Sequence, residues 1–264
     1  MDSIVDPGNN DYIKTLVKCN FPPYGRDFNG GKPTGRFSNG GVPSDIIAEI
    51  FNVKKTLPAY LDPNLKQQDL LSGVSFASGG AGYDPLTARL VSVLSLSEST
   101  AAVQRLQNQV KGSSWRKEIR FHSVQKAYSL YAWEVMTLQI LISQPLLENI
   151  ITTFRPTPIS WLNQLHVSYC EGARRVGVLS LPPIGCVPSQ RTLSGNVFRG
   201  FEAVTGECCG TGNIEVSIMC NPYSVHTCRD ASKYIFWDSY HPIEKSYEIL
   251  THLVLDDNII NKFF

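Results

Sequence analysis

A chain of 264 residues, 42% hydrophobic and 18% charged, is long enough to bury a substantial core as one large domain or two small ones. Its 24 basic and 23 acidic residues leave a formal net charge of +1, which excludes a bulk electrostatic draw towards nucleic acid or an anionic membrane. The most apolar stretch, Val135 to Ile151, is broken by Gln139, Gln144, Pro145, Glu148 and Asn149 and falls short of the ~20 apolar residues of a membrane span.

The chain opens Met1-Asp2-Ser3-Ile4-Val5-Asp6, with neither the basic nor the apolar region of a secretory signal. From Asp6 to Pro43 it is dense in Gly, Pro, Asn and Asp, which predicts an ordered run of turns or a lid. Helical periodicity begins after Pro43, with Ile46, Ile47, Ile50 and Phe51 on one stripe and Ser44 or Asp45 available as N-cap. Val74 to Ala77 reads as a short buried strand running into Ser78-Gly79-Gly80-Ala81-Gly82, a strand-to-glycine turn of the kind that lines sites with backbone. Leu90 to Val110 reads as one helix, with Leu94, Val103, Leu106 and Val110 inward and Gln104, Arg105, Gln107 and Asn108 outward. Arg175 to Leu181 reads as a buried strand stopped by Pro182-Pro183. Helices alternating with short apolar strands favour an α/β layered fold with a parallel sheet.

Four of the seven cysteines, Cys208, Cys209, Cys220 and Cys228, cluster among Gly, Thr, Asn and Pro. Such clustering suits disulfides formed in an oxidising compartment. Zinc competes, without the paired C-x-x-C hooks of structural zinc sites, and buried free thiols are the third reading. The five histidines, 122, 166, 226, 241 and 252, form no H-x-x-x-H or comparable pair, which disfavours a zinc hydrolase. Near the C-terminus, in Phe236-Trp237-Asp238-Ser239-Tyr240-His241-Pro242, an acid precedes a histidine by three residues. Across a tight turn that spacing can bring the carboxylate to Nδ1–H and leave Nε2 free as a general base. Taken alone, an Asp-x-x-His pair is more often a cap or a surface hydrogen bond.

Asp2 to Asn10 resembles the nucleophile block of the plant GDSL esterase/lipases, within the SGNH hydrolase superfamily, with Met1 where that block has glycine. Pro33 to Gly40 resembles the segment downstream of it, and Gly73 to Gly82 its second block. Gly172 to Val178 with Leu181 to Pro188 resembles the fourth region, and Glu207 to Gly212, Cys220-Asn221 and Phe236 to Lys245 the C-terminal part. These ordered matches cover roughly two thirds of the chain. The resemblance implies a single domain over 1–264 with a flavodoxin-like three-layer α/β sandwich around a central parallel sheet. It implies Ser3 as nucleophile, His241 as base and Asp238 as the residue orienting it. It implies an oxyanion hole of the Ser3 N–H, a second-block glycine N–H (Gly80, with Gly79 the alternative) and an asparagine from a Gly-x-Asn-Asp third block. The partner is then an ester, small or lipid, hydrolysed through an acyl-enzyme with no metal or organic cofactor, and the setting is extracellular. Tyr24, Phe28, Phe37 and Tyr83 are candidates to contact the acyl chain, or core and loop anchors.

The match has gaps. The strand before the nucleophile is missing, so a frayed terminus is expected to hold Ser3. The third block is absent, with Ser129 to Glu134 standing where it should begin and residues 133–160 resembling nothing in the family. Gly8-Asn9-Asn10-Asp11 matches its pattern literally but belongs to the first block, and reads as a decoy. A helical stretch around 196–205 is shortened. The expected fold is therefore incomplete, as in a truncated or splice-variant product of a secreted enzyme's gene. The competing readings are a remnant with no turnover that acts at most as a binding module, and a chain whose half-built core does not fold.

Overall fold

The computed structural model describes residues 2–82, 85–112, 128–132, 175–179, 186–189, 207–210, 219–223, 227–255 and 260. The expected gaps at 133–160 and 196–205, Tyr83, and the histidines at 122, 166 and 226 lie outside the described residues.

The N-terminal segment is the predicted run of turns, and its polar side chains account for its order. Ser3 does not sit in a frayed end: it is 2% exposed, in a 3₁₀ turn over Asp2–Ile4. Asp6, fully buried, accepts the N–H groups of Gly8 (2.8 Å), Asn9 (2.7 Å) and, from the second block, Gly79 (2.8 Å). Asn9 Nδ2 donates to the carbonyls of Ser75 and Ala77, and Asn10 Nδ2 to those of Val17 and Gly79. A buried carboxamide left unmatched costs a desolvation penalty, so these contacts specify how the two blocks meet. The amide N–H groups of Asn9 and Asn10 are thus committed to backbone carbonyls. Gly8 has φ 128°, and a Cβ there would collide with the Thr34 carbonyl, so only glycine fits.

Helix α1 spans Pro43–Ile50, with proline in the first turn, where its missing N–H is not needed. Val42, not Ser44 or Asp45, is the N-cap, and Asp45 reaches back from the third position to accept the Val42 N–H at 3.1 Å. Ser44, Asp45 and Ala48 are buried, whereas Ile46, Ile47 and Ile50 are half-buried. The reason is Arg36, whose guanidinium forks onto both Asp45 oxygens at 2.7 Å and also donates to the carbonyls of Pro7 and Leu57. Both side chains are under a tenth exposed, and a buried pair of this kind costs about 3–5 kcal/mol to break from one side. The polar pair therefore decides which face of α1 turns inward.

Helix α2 spans Gln67–Ser72 and ends at Gly73. The stretch Val74 to Ala77, expected as a buried strand, makes a single bridge among the described residues, Ser75 to Ala59, and of its residues Ser75 alone is buried. The single helix expected over Leu90 to Val110 is two: α3, Pro85–Val91, and α4, Leu96–Gly112. Ser92 breaks them at φ 56°, and Ser95 restarts the chain: its Oγ accepts the Glu98 N–H while Glu98 Oε2 takes the Ser95 N–H at 2.7 Å. Strands β1, Tyr128–Ala132, and β2, Arg175–Leu179, pair in parallel with Leu130 opposite Gly177. Helix α5, Glu244–Val254, packs on α1 and buries Tyr247 and Thr251 with Ile243 and Leu255, every fourth residue along one face. No helix among the described residues is long and apolar enough to cross a membrane. The main core joins chain ends far apart in sequence, packing Cys19, Tyr24 and Phe37 against Cys208, Cys209, Cys220, Ala231, Trp237 and Ile243.

Candidate active site

The loop Phe236 to Ile243 is closed on itself by the Trp237 N–H to the His241 carbonyl (2.7 Å) and by a bridge from Phe236 to Pro242. Within it Asp238 Oδ1 accepts the N–H groups of Tyr240 (2.9 Å) and His241 (2.8 Å), so the carboxylate shapes the turn that carries the histidine. The same carboxylate faces the imidazole, with Nδ1 at 2.8 Å from Oδ1 and 2.9 Å from Oδ2. The acid-x-x-histidine spacing thus does both things it can do, capping a turn and engaging Nδ1. With the proton on Nδ1, Nε2 is an acceptor, and Ser3 Oγ lies 2.9 Å from it. Phe37 lies against the imidazole at 5.0 Å between centroids.

Asp238 and His241 are 0% and 1% exposed. Burial works against ionisation of Asp238, but His241, with hydrogen bonds from its ring, from Tyr24 and from the Tyr240 N–H, outweighs it and holds the carboxyl below its ordinary range. Tyr24, 1% exposed, donates to Asp238 Oδ2 at 2.7 Å. Tyr24 and Phe37 are therefore core residues, which settles the open choice made for them from sequence.

Of the two glycines considered for an oxyanion contact, Gly79 gives its N–H to Asp6. Gly80 follows at φ 90°, where a Cβ would meet Val91 and Val93, and no hydrogen bond joins it to Ser3 or His241 among the described residues. The N–H groups of Ser3 and Gly80 engage no acceptor among the described residues. Sequence reasoning passed over Asp6, whose Asp-Pro-Gly-Asn context is a turn signature that could have flagged it. It also passed over Tyr24 as a partner of Asp238, for which no local signal exists across 214 residues.

The cysteine cluster forms two disulfides, Cys208–Cys228 and Cys209–Cys220, with Cα atoms 4.8 and 5.8 Å apart. Cys19 is a buried free thiol and Cys186 an exposed one. No group of three His, Cys, Asp or Glu side chains among the described residues could hold a metal ion. A 440 Å³ depression lined by Gly8, Asp11, Phe28, Thr34, Leu57 and Asp62 does not include Ser3, Asp238 or His241.

The profile of the GDSL-like lipase/acylhydrolase family matches residues 2–254. The chain belongs to that family. Among its relatives in Arabidopsis thaliana, GDSL esterase/lipase At5g42170 is 39% identical over 310 positions, covering 98% of this chain and 84% of the relative. GDSL esterase/lipase At3g43570 is 40% identical over 291 positions, covering 99% and 88%, and GDSL esterase/lipase EXL3 is 37% identical over 319, covering 99% and 86%. Alignments of 310 and 319 positions are longer than the 264-residue chain, so these GDSL relatives carry internal stretches that it lacks. No solved structure matches. GDSL family membership makes this a hydrolase of ester bonds and implies the SGNH hydrolase fold.

Proposed function

We propose that the chain hydrolyses carboxylic or lipid esters through Ser3, His241 and Asp238. The observation that carries this reading is the continuous line from the Asp238 carboxylate to Nδ1 and from Nε2 to Ser3 Oγ at 2.9 Å. As Ser3 Oγ bonds the acyl carbon, its proton passes to His241 Nε2, and the imidazolium hands it to the departing alcohol. Water then repeats the step in reverse and frees the acid. The N–H groups of Ser3 and Gly80 donate to the oxyanion. Gly79 is the weaker choice because Asp6 holds its N–H.

The paired strands β1 and β2 support a central parallel sheet, and with it a three-layer sandwich of the flavodoxin-like kind. The two disulfides support assembly in an oxidising, extracellular setting. The sequence holds no third-block Gly-x-Asn-Asp, and one missing oxyanion donor costs about 10² to 10³ in turnover, so a slow enzyme is expected.

The test is hydrolysis of a short-chain p-nitrophenyl ester by the protein made in an oxidising compartment, beside Ser3→Ala and His241→Ala. Slow turnover lost in both variants is the expected result. Equal rates in all three would leave a folded remnant whose surface binds without turning over.

A further inference from the structure

The Asp238 carboxylate receives four hydrogen bonds: from the His241 ring, from the backbone N–H groups of Tyr240 and His241, and from the Tyr24 hydroxyl at 2.7 Å. A carboxylate offers about four lone-pair sites, so all of its capacity is engaged. Three of these donors sit within three residues of Asp238 on the same loop and travel with it. Tyr24 alone belongs to the N-terminal segment, the segment that carries Ser3.

Its ring is fixed from several sides, edge-on to Phe21 (5.6 Å), Trp237 (6.3 Å) and Phe37 (6.4 Å), and its backbone N–H is tied to the Phe21 carbonyl. Behind it the fully buried Cys19 belongs to the same core cluster. The donors converge on Asp238 from both sides, Tyr24 on one and the His241 ring, whose Nε2 faces Ser3, on the other. A buried phenol needs only some acceptor. Tyr24 spends its proton on the carboxylate that faces the imidazole.

We propose that Tyr24 is a positioning residue for the reaction: its hydroxyl clamps Asp238 Oδ2, and thereby sets the acid–base loop against the segment that bears Ser3. The inference rests on the triad reading. It acts through Asp238 and touches neither substrate nor Ser3.

The test is Tyr24→Phe in the full disulfide-bonded chain, followed by p-nitrophenyl ester hydrolysis and by the far-downfield proton resonance of His241 Nδ1–H. That resonance is assigned by its loss in Asp238→Asn and His241→Ala. The expected loss in kcat is about 10- to 100-fold, the scale of one hydrogen bond to a charged group, with KM little changed. The acid limb of kcat/KM moves to higher pH, because the carboxylate loses a donor that helps hold it ionised. The Nδ1 proton shifts or broadens. Wild-type kcat, pH profile and proton position in Tyr24→Phe would overturn the proposal. Failure of the triad reading shows differently, as wild-type turnover equal to that of Ser3→Ala, and the proton resonance then still decides whether Tyr24 positions Asp238 against His241. If Tyr24→Phe does not melt cooperatively, 3-fluorotyrosine at that position keeps the shape and strengthens the donor. The resonance must then move, and an unmoved one overturns the proposal.

Discussion

Asp238 is fully buried and Asp11 partly so, and their surroundings drive them in opposite directions. Asp238 is held below its ordinary 3.8 despite burial, because His241 and three further donors stabilise its charge. Its contribution to stability is therefore complete above pH 3.8 and is lost as pH falls through the lowered folded value. Urea unfolding of wild type against Asp238→Asn should show a gap that is constant from pH 7 to pH 5 and closes below pH 4, while kcat at neutral pH falls by about 10⁴ as the imidazole loses its orienting carboxylate. Asp11 lies against the 440 Å³ depression, where burial, partly offset by Lys18, pushes its carboxyl up to about 6. Here the sign reverses: the protonated form favours the fold, fully so below 3.8, and that advantage is lost as pH rises to about 6. Asp11→Asn should accordingly be more stable than wild type at pH 7 and indistinguishable from it near pH 3.5, by the same urea titration. At this scale Ser3, Asp238 and His241 were legible because their short motifs resemble a family pattern. Asp11 and Tyr24 were not, since burial and a partner 214 residues away leave no local mark.

The elements show where periodicity reads correctly and where a polar contact overrides it. Apolar spacing located α1, but the buried Arg36–Asp45 pair turned Asp45 inward and left the isoleucines half-exposed. A pattern that counts only apolar residues assigns such a face wrongly. The break between α3 and α4 was legible and was missed: Ser95-Leu96-Ser97-Glu98 is the capping-box sequence, and the structure uses it as such. Ser95→Ala should cost about 1 kcal/mol in unfolding free energy, the usual loss for a serine N-cap. It should leave turnover unchanged, because α4 contributes no side chain to the Ser3–His241–Asp238 line. Denaturant unfolding and the ester assay, run on the same preparation, check both halves. The strand at Arg175 was legible from its run of Val and Leu, whereas its partner β1 was not read as a strand, because Ser129 to Glu134 stood only as the place where a family block should begin.

Across the whole molecule the site is a junction between two distant parts of the chain, and what secures that junction decides whether a protein with internal stretches missing can still bring Ser3, His241 and Asp238 together. Ser3 meets His241, Tyr24 meets Asp238, Glu244 accepts the Gly41 N–H at 2.6 Å, and Arg26 reaches the Cys228 carbonyl while lying over Trp237. On the C-terminal side the disulfide cluster is bonded directly to the acid–base loop: the Cys208 N–H donates to the Phe236 carbonyl (3.0 Å) and the Cys209 N–H to that of Trp237 (2.8 Å). Cysteine clustering made these bridges legible, but nothing in the spacing revealed that they buttress Asp238. By the chain-entropy argument, loops of 20 and 11 residues make each bridge worth about 3 kcal/mol. Replacing Cys208 and Cys228 together by serine should lower the unfolding free energy by that amount. It should also lower kcat, because the segment that holds the Phe236 and Trp237 carbonyls loosens and His241 spends less time within reach of Ser3. Wild-type protein titrated with dithiothreitol should lose turnover in parallel with its thermal midpoint. A double variant with a lowered midpoint but wild-type kcat would mean that the cluster staples the fold alone, and that Tyr24 and the Phe236–Pro242 bridge suffice to hold the loop.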